Sequence, residues 1–220
     1  MRLSVAIDGP AGAGKSTIAK LVAKEFGLMY INTGAMYRAV TLKAIEKNLD
    51  STRISEICSI IEKMDMKFEN DDLILDGVNI QKEITMPSIS AKVSEYAAVP
   101  EIRHLLVKLQ REMSNKFDVI MDGRDIGTVV LKDATVKIFL NATPEERATR
   151  RYNELLERNI NCSYDDILTD IIERDYKDSN RASDPLRKAD DAIEIDSTGL
   201  NIKEVTSEIN KYIRNKINDK

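Results

Sequence analysis

The chain has 220 residues, 42% of them hydrophobic and 5% aromatic, with no Trp and a formal net charge of −4. That length fits one α/β domain with small insertions, the acidic balance argues against a nucleic-acid surface, and no apolar run reaches membrane-spanning length. His104 is the only histidine, which excludes a histidine metal cluster or a histidine-based triad, and the two cysteines with no signal-peptide pattern predict a cytoplasmic protein.

Leu3, Val5 and Ile7 alternate with polar or small residues and predict a buried strand. The strand runs into Gly9-Pro10-Ala11-Gly12-Ala13-Gly14-Lys15-Ser16-Thr17, which fills every fixed position of G-x-x-x-x-G-K-[ST], the phosphate-binding loop. Ile18, Leu21, Val22 and Phe26 then recur at helical spacing, and Gly27 stands where a C-terminal cap belongs. Chance yields the loop pattern in a chain this long on the order of once in a hundred. Requiring the flanking strand and helix cuts that by roughly tenfold. In this setting the glycines let consecutive N–H groups turn inward, and the helix N-terminus adds its positive dipole end. Lys15 supplies a mobile charge and Ser16 a hydroxyl for magnesium, so the chain is expected to bind a nucleoside triphosphate.

Leu28–Asn32 reads as a second strand, ending at Thr33-Gly34, and residues 35–47 as a helix with Met36, Ala39, Val40 and Ala44 inward. Ser51 opens another helix on Ile54, Ile57, Cys58 and Ile61, which predicts a buried Cys58 thiol. From Met66 to Ile80 the pattern turns to short strands broken by Asn70-Asp71-Asp72 and Asp76-Gly77, hence a small antiparallel insertion. Helices near 88–97 and at 101–116 follow, the second on Ile102, Leu105, Leu106, Leu109 and Met113. Val119-Ile120-Met121 is a buried strand ending in Asp122, and Val136–Leu140 another. Thr143-Pro144-Glu145-Glu146 starts a helix with a capping box and a first-turn proline, and Ser163 to Asp166 starts the next. Ile193–Ile195 is the last strand, and 201–217 a closing helix on Ile202, Val205, Ile209 and Ile213. Five strands alternating with helices predict a parallel sheet covered on both faces, interrupted by insertions at about 63–98 and 148–168.

A phosphate-binding loop alone leaves GTPase switches, motor ATPases and small-molecule kinases open. A switch needs a guanine-binding Asn-Lys-x-Asp motif, and none is expected in this chain. The chain instead concentrates arginine. Arg147, Arg150, Arg151 and Arg158 share one predicted helix, Arg174 and Arg181 follow, and Arg38 and Arg124 lie just after strand ends. The 147–158 group reads either as a solvated face paired with Glu145, Glu146, Glu154 and Glu157 or as charge for a transferring phosphoryl group. Ligands of open parallel sheets sit beyond the carboxyl ends of the strands, where the phosphate-binding loop, Thr33–Arg38 and Asp122-Gly123-Arg124-Asp125 all emerge. Asp122 reads equally as an acid that orients magnesium-bound water or as a turn cap.

Ile7 through Thr17, Thr33-Gly34-Ala35-Met36-Tyr37-Arg38 and Asp122 through Val130 together resemble the bacterial cytidylate kinases, as do Lys137-Ile138-Phe139-Leu140, Arg174-Asp175, and Asp178-Ser179-Asn180-Arg181 with Pro185-Leu186. The likeness is collinear over essentially the whole chain. It implies transfer of the γ-phosphoryl of ATP to CMP or dCMP with Mg²⁺, giving the diphosphate and ADP. It implies an α/β P-loop kinase domain over residues 1–220, with a five-stranded parallel sheet, a small antiparallel insertion and a helical lid. The monophosphate-binding insertion would span about 35–110 and the lid about 148–168, carrying the arginines of the 147–158 group. It places Gly9, Pro10, Ala11, Gly12, Ala13, Gly14, Lys15, Ser16 and Thr17 on ATP, with Ser16 on the metal. Thr33, Arg38, Ser94, Arg103, Arg124, Asp125, Arg174, Asp178 and Arg181 fall in the CMP site, Asp125 as acceptor for the cytosine amino group and Arg103 and Ser94 as donors. Lys15, Arg124, Arg150, Arg151 and Arg181 are the implied catalytic set. The implied partners are ATP and CMP or dCMP for a monomeric enzyme, with no nucleic acid or membrane.

Two positions depart from the family pattern: Asn32 stands where the family often has Asp, and Ile84-Thr85-Met86-Pro87 replaces its Ile-Arg-Thr-Pro. A kinase for another acceptor (UMP, dTMP or shikimate) and a non-catalytic nucleotide-binding module remain the competing readings.

Overall fold

The computed structural model describes residues 2–218. Five strands, β1 (Ser4–Asp8), β2 (Met29–Asn32), β6 (Val119–Gly123), β7 (Val136–Asn141) and β8 (Ile193–Asp196), form one sheet in the order β2-β6-β1-β7-β8. All four pairings are parallel. The alternation read in the sequence divides the core in two, because successive side chains of a strand point to opposite faces. Val5, Ile7, Ile120, Ile138 and Leu140 pack on one side with α1 (Lys15–Phe26) and α9 (Ile202–Asn218). Ala6, Ile31, Val119 and Met121 pack on the other with α2 (Thr33–Glu46), α3 (Ile54–Ile61), α5 (Pro87–Ala97) and α6 (Pro100–Lys116). Both faces are therefore covered, as expected of parallel strands joined by helical crossovers.

Between α3 and α5 lie the short strands β3 (Met66–Glu69), β4 (Asp72–Leu75) and β5 (Val78–Asn79), antiparallel and in a sheet of their own, then the single turn α4 (Gln81–Ile84). Asn70, Asp71, Asp76 and Gly77 all take positive φ at the hairpin turns, the conformation that Asn, Asp and Gly tolerate best. Helices α7 (Pro144–Glu157) and α8 (Tyr164–Asn180) form a hairpin with a small core of its own on Ala148, Ile167 and Ile171. Thr143 and Ser163 cap their first turns as their spacing predicts, accepting from the N–H of Glu146 and Asp166. Among the described residues no helix is long and apolar enough to cross a membrane.

Five expectations need correction, the first being Ile202, which is 51% exposed at the start of α9 because Val205, Ile209 and Ile213 form its inward stripe. Leu21 is 43% exposed on α1, because the stripe that meets the sheet is Ile18, Ala19, Val22 and Ala23. Cys58 is only half-buried, since Ile57 and Ile61 take the inward face of α3. Helix α2 begins at Thr33, two residues earlier than expected, because the Asn32 side chain accepts from the Ala35 N–H at 2.9 Å and caps it. Asp122 does not cap a turn, for β6 continues to Gly123.

Candidate active site

The loop between β1 and α1 crosses the carboxyl edge of the sheet, where β1 is central. Gly9 has φ 150°, and a Cβ there would lie 2.0 Å from the Leu140 carbonyl oxygen, so only glycine lets the loop leave the strand beside β7. Lys15 is buried and its Nζ donates to the Pro10 carbonyl at 2.6 Å, folding back over the loop it ends. Burial, then the nearby Arg124, hold its pKa well below the usual lysine value, against the pull of Asp122 and Asp8. An ammonium in such a place gains strongly from an arriving anion.

Ser16 follows on the same turn. Its Oγ donates to Asp122 Oδ2 at 2.8 Å, while Tyr30 Oη donates to Oδ1 at 2.9 Å and Thr33 Oγ1 to the Asp122 carbonyl at 2.7 Å. Asp122 thus joins the phosphate-binding loop to the ends of β2 and β6. Among the described residues no group of three or more His, Cys, Asp or Glu side chains is placed to hold a metal. One hydroxyl with a carboxylate behind it is nonetheless a hard-oxygen pair that suits magnesium, which takes few protein ligands and keeps waters and substrate phosphates. The residues fit Mg²⁺ as a nucleotide-borne ion.

Next to Lys15, three guanidinium groups converge. Arg38 comes from α2, Arg124 from the end of β6 and Arg174 from α8. The Nε atoms of Arg38 and Arg174 are buried with no hydrogen-bond partner among the described residues. Burial and then Arg124 bring the Arg174 pKa down to about 10, and burial lowers that of Arg38 as well. Arg124 is anchored by Asp178, its Nε donating to Oδ2 at 2.8 Å. Burial works to raise the Asp178 pKa, but Arg124, with Arg174 and Arg181 behind it, holds the carboxyl below the usual range. Asp122 acts on Arg38 and Asp175 on Arg174 through space, but Asp178 is the one carboxylate hydrogen-bonded to any of the three among the described residues; buried guanidinium donors left unspent are the signature of an anion site.

Beyond it lies a charge-balanced group. Arg103, in the first turn of α6, is fully enclosed. Its Nη2 donates to Asp125 Oδ2, its Nη1 to the Ala97 carbonyl at 3.1 Å and its Nε to Asp184 Oδ2 at 2.8 Å, and its guanidinium lies over the Tyr37 ring, 5.5 Å from the centroid. Arg181 Nη2 reaches Asp125 Oδ1 at 3.4 Å, and its Nε donates to the Asp184 carbonyl at 2.7 Å. Ser94 stands half-buried one turn before Ala97 on α5. Asp125 therefore pairs with Arg103 and Arg181 rather than with its neighbour Arg124.

The arginines expected on a lid separate into three kinds. Arg147 is not on the solvent face at all. It is 2% exposed, donating from Nε to Ala142 O at 2.9 Å, from Nη1 to Ala11 O at 2.9 Å and from Nη2 to Asp175 Oδ2 at 2.5 Å. Helix α7 starts directly against the phosphate-binding loop, so its first arginine is swallowed by the contact: a Cβ on Gly12 would stand 3.3 Å from Arg147 Cβ. Arg150 is close to the loop, its Nη1 4.0 Å from where a Gly14 Cβ would be, and is held by Glu146 and the Ser197 carbonyl. Arg151 and Arg158 both pair with Glu154 on the exposed face, as the solvated reading has it, and are not brought to the site in this conformation.

Asp8 lies within the Ile7–Thr17 stretch, but no role for it is legible there. It is buried, and its two carboxylate oxygens accept from Ile126 N and Gly127 N at 2.7 Å each, fixing the π-helical turn at Ile126–Val130 that follows Asp125. Burial raises its pKa to about 6 despite those bonds. Its only sequence signal is an acid closing an apolar strand, since its partners are backbone groups more than a hundred residues away. Asn115-Lys116-Phe117-Asp118 does spell the guanine-binding pattern, but Asp118 precedes β6 and accepts from Leu3 N at 2.9 Å, at the sheet edge away from the phosphate-binding loop.

The profile of the family described as Cytidylate kinase matches residues 5–215. The cytidylate kinase of Clostridium perfringens (strain SM101 / Type A) is 62% identical over 211 residues, covering 96% of this chain and 97% of that protein. That of Clostridium acetobutylicum is 60% identical over 217 residues, covering 99% of this chain and all of that protein. A crystal structure of an uncharacterized protein from Eubacterium ventriosum ATCC 27560 shares the fold with a TM-score of 0.56 at 15% identity, covering 98% of this chain and 99% of that one. A match of this extent, on a chain whose parallel sheet gathers a phosphate-binding loop, an arginine cluster and a balanced Arg–Asp group at one edge, has one reading: the chain belongs to the cytidylate kinase family.

Proposed function

We infer that the chain transfers the γ-phosphoryl group of ATP to CMP or dCMP, yielding ADP and the nucleoside diphosphate. The observation that carries this reading is the adjacency of two unlike sites beside Lys15. One is a cluster of guanidinium groups, Arg38, Arg124 and Arg174, with buried donors left unspent on Arg38 and Arg174, suited to a phosphate monoester. The other is the charge-balanced Arg103–Asp125–Arg181–Asp184 group, which presents both donors and an acceptor, suited to a base edge.

An acceptor monophosphate oxygen is already anionic, so the reaction needs no general base. The chain's work is to bring two polyanions into line and spread positive charge over the equatorial oxygens of the group in flight. Lys15 exchanges the Pro10 carbonyl for the β- and γ-phosphates of ATP, and desolvation makes its charge count for more than it would in water. Arg38, Arg124 and Arg174 hold the acceptor phosphate, with Asp178 keeping Arg124 in place and Thr33 at the head of α2. Ser16 would hold the magnesium ion, with Asp122 behind it. The chemistry such an ion would supply is positive charge against the phosphate oxygens. Asp125 accepts from the cytosine amino group while Arg103 and Ser94 donate to its ring nitrogen and carbonyl.

The α7–α8 hairpin serves as the lid, with residues 148–168 as its moving tip and Arg150 and Arg151 closing on the phosphates. Its closure keeps water from the γ-phosphate. The region 35–110 binds the monophosphate. Both Cys58 and Cys162 are free thiols, which suits the cytoplasm, where ATP is also supplied.

The test is ADP release measured with a panel of acceptors: CMP, dCMP, UMP, dTMP, AMP and shikimate. CMP and dCMP are expected to exceed every other acceptor in kcat/KM by at least about a hundredfold, the scale set by a polar site built for one edge. Preference for another acceptor would reassign the substrate, and ATP binding with no acceptor-stimulated turnover would leave a binding module.

A further inference from the structure

We propose that Asp184 is a positioning residue that sets the orientation of Arg103, and through it the affinity for the pyrimidine acceptor; this rests on the reading of Arg103 and Asp125 as the base site. Asp184 belongs to the segment Arg181-Ala182-Ser183-Asp184-Pro185-Leu186, which leaves α8 and is tied back to it by Leu186 N donating to the Asp178 carbonyl at 2.8 Å. The residue takes φ 49°, a left-handed conformation sparsely used by side-chain-bearing residues and further disfavoured before a proline. That conformation lets one residue face two arginines at once. Its carbonyl accepts from Arg181 Nε at 2.7 Å, and its Oδ2 accepts from Arg103 Nε at 2.8 Å. With Asp125 bonded to Nη2 of both arginines, the four residues close a ring of alternating charge, Arg103–Asp125–Arg181–Asp184.

The donor count gives Asp184 its role. A guanidinium has five N–H donors in a rigid plane. Asp184 takes the one on Nε, Ala97 takes one on Nη1 and Asp125 one on Nη2. One donor on each terminal nitrogen is left for a base. Without the Asp184 carboxylate, the plane is free to turn about the Cγ–Cδ and Cδ–Nε bonds toward a two-pronged pairing with Asp125, the preferred geometry of an arginine with a carboxylate. That pairing would spend the donors, and the acceptor, that the base requires. Ser183 Oγ, 3.1 Å from Asp184 Oδ2, holds the carboxylate in turn.

Three substitutions test this. Asp184→Gly removes the carboxylate with a residue that accepts positive φ freely. Asp184→Ser, too short to reach Arg103, repeats the loss without added backbone freedom. Asp184→Asn keeps an acceptor oxygen in place. At saturating ATP, the glycine and serine variants are expected to raise KM for CMP and dCMP alike by about five- to thirtyfold, the scale of one charge-assisted hydrogen bond. Their kcat should stay within twofold and KM for ATP should not change, while Asp184→Asn returns the acceptor KM to within about threefold of the parent. A merely structural loop would instead spread losses over kcat, the ATP KM and the melting temperature, and that result overturns the proposal. Arg103→Met is the control. If it raises the acceptor KM while the Asp184 variants match the parent, only the role of Asp184 fails. If it leaves acceptor KM and the CMP:UMP ratio unchanged, the base-site reading fails and this inference with it.

Discussion

Ser16 Oγ donates to Asp122 Oδ2 at 2.8 Å, and this bond connects the first turn after the phosphate-binding loop to the end of the strand next to β1. Asp122 is 5% exposed and also holds Tyr30 Oη, whose pKa is raised by burial and then by the facing carboxylate. The carboxylate thus orients the hydroxyl proposed to meet magnesium without itself lying in the open.

Asp122→Asn should therefore weaken metal use before it weakens folding. The amide still accepts from one hydroxyl, but it loses the charge that makes Ser16 a better ligand and steadies a cation nearby. The expected outcome is a loss of about tenfold to a hundredfold in kcat at fixed Mg²⁺, the usual scale for an outer partner of a metal site, with part of it recovered as Mg²⁺ is raised. Activity titrated against Mg²⁺ checks it. An unchanged metal dependence with an equal loss at every concentration would show that Asp122 acts only through the strand ends.

Arg147 and Arg151 sit four residues apart on α7 and should respond in opposite ways. Arg147 links the Ala11 carbonyl of the phosphate-binding loop, the Ala142 carbonyl and Asp175 on α8. Arg147→Ala leaves those acceptors unmatched in a buried place, expected to cost about 3–5 kcal/mol of stability. Arg151, paired among the described residues only with Glu154 and 42% exposed, should cost less than about 1 kcal/mol when replaced by Ala, because exposed ion pairs contribute little. If Arg151 closes on the phosphates, its removal should still lower kcat. Melting temperature and turnover, measured on both variants, separate latch from lid.

The contrast between these two arginines shows what the sequence discloses. The core strands are legible because Val5, Ile7, Ile120 and Ile138 state the period of a buried sheet directly, and the loop because its glycines and Lys15 answer to local geometry. Helix α7 is legible as a helix from Thr143-Pro144-Glu145-Glu146. Which of its arginines is buried is not, because that depends on Gly12, more than 130 residues away, presenting no side chain at the contact. Asp8 and Asp184 escape for the same reason. Their partners are the backbone of a turn and the side chain of a distant helix, and neither leaves a periodic mark. Leu21 misleads in the other direction, since helical spacing alone cannot say where an apolar stripe ends.

Asp8 gives a pH dependence whose sign follows from its burial. Its carboxyl titrates at about 6 in the folded chain against 3.8 for the ordinary group, so the protonated form favours folding. The stability it contributes is complete below about pH 4 and is lost as pH rises through about 6. Two units of displacement correspond to about 3 kcal/mol. Asp8→Asn cannot titrate, so the difference in unfolding free energy between parent and variant should move against the parent by about that amount from pH 4 to pH 6.5. Chemical denaturation without nucleotide, at steps across that window, measures it free of the acceptor phosphate's own ionisation. A pH-independent difference would place the Asp8 carboxyl in the ordinary range.

Cytosine offers an amino donor beside two acceptors, whereas uracil puts an acceptor where the amino group was and a proton on the ring nitrogen. Asp125, 5% exposed and bonded to Arg103 and Arg181, is the acceptor with which the chain can tell them apart. Its ionised form would meet the uracil oxygen as an unmatched and repelled pair, a larger penalty than the loss of one contact. Asp125→Asn keeps the shape of the ring of charge but lets an amide donate toward that oxygen. It also leaves Arg103 and Arg181 facing Asp184 as the single remaining carboxylate of the four. The expected outcome is a fall of about ten- to a thousandfold in kcat/KM for CMP, with a smaller fall or a gain for UMP, so that the ratio narrows. The two rates must be measured on the same preparation, because the Asp125 carbonyl also accepts from Val129 N at 2.9 Å and the variant could disturb the turn that follows. A disturbed turn lowers both substrates by one factor and leaves the ratio where it was, and that result would move base recognition away from Asp125.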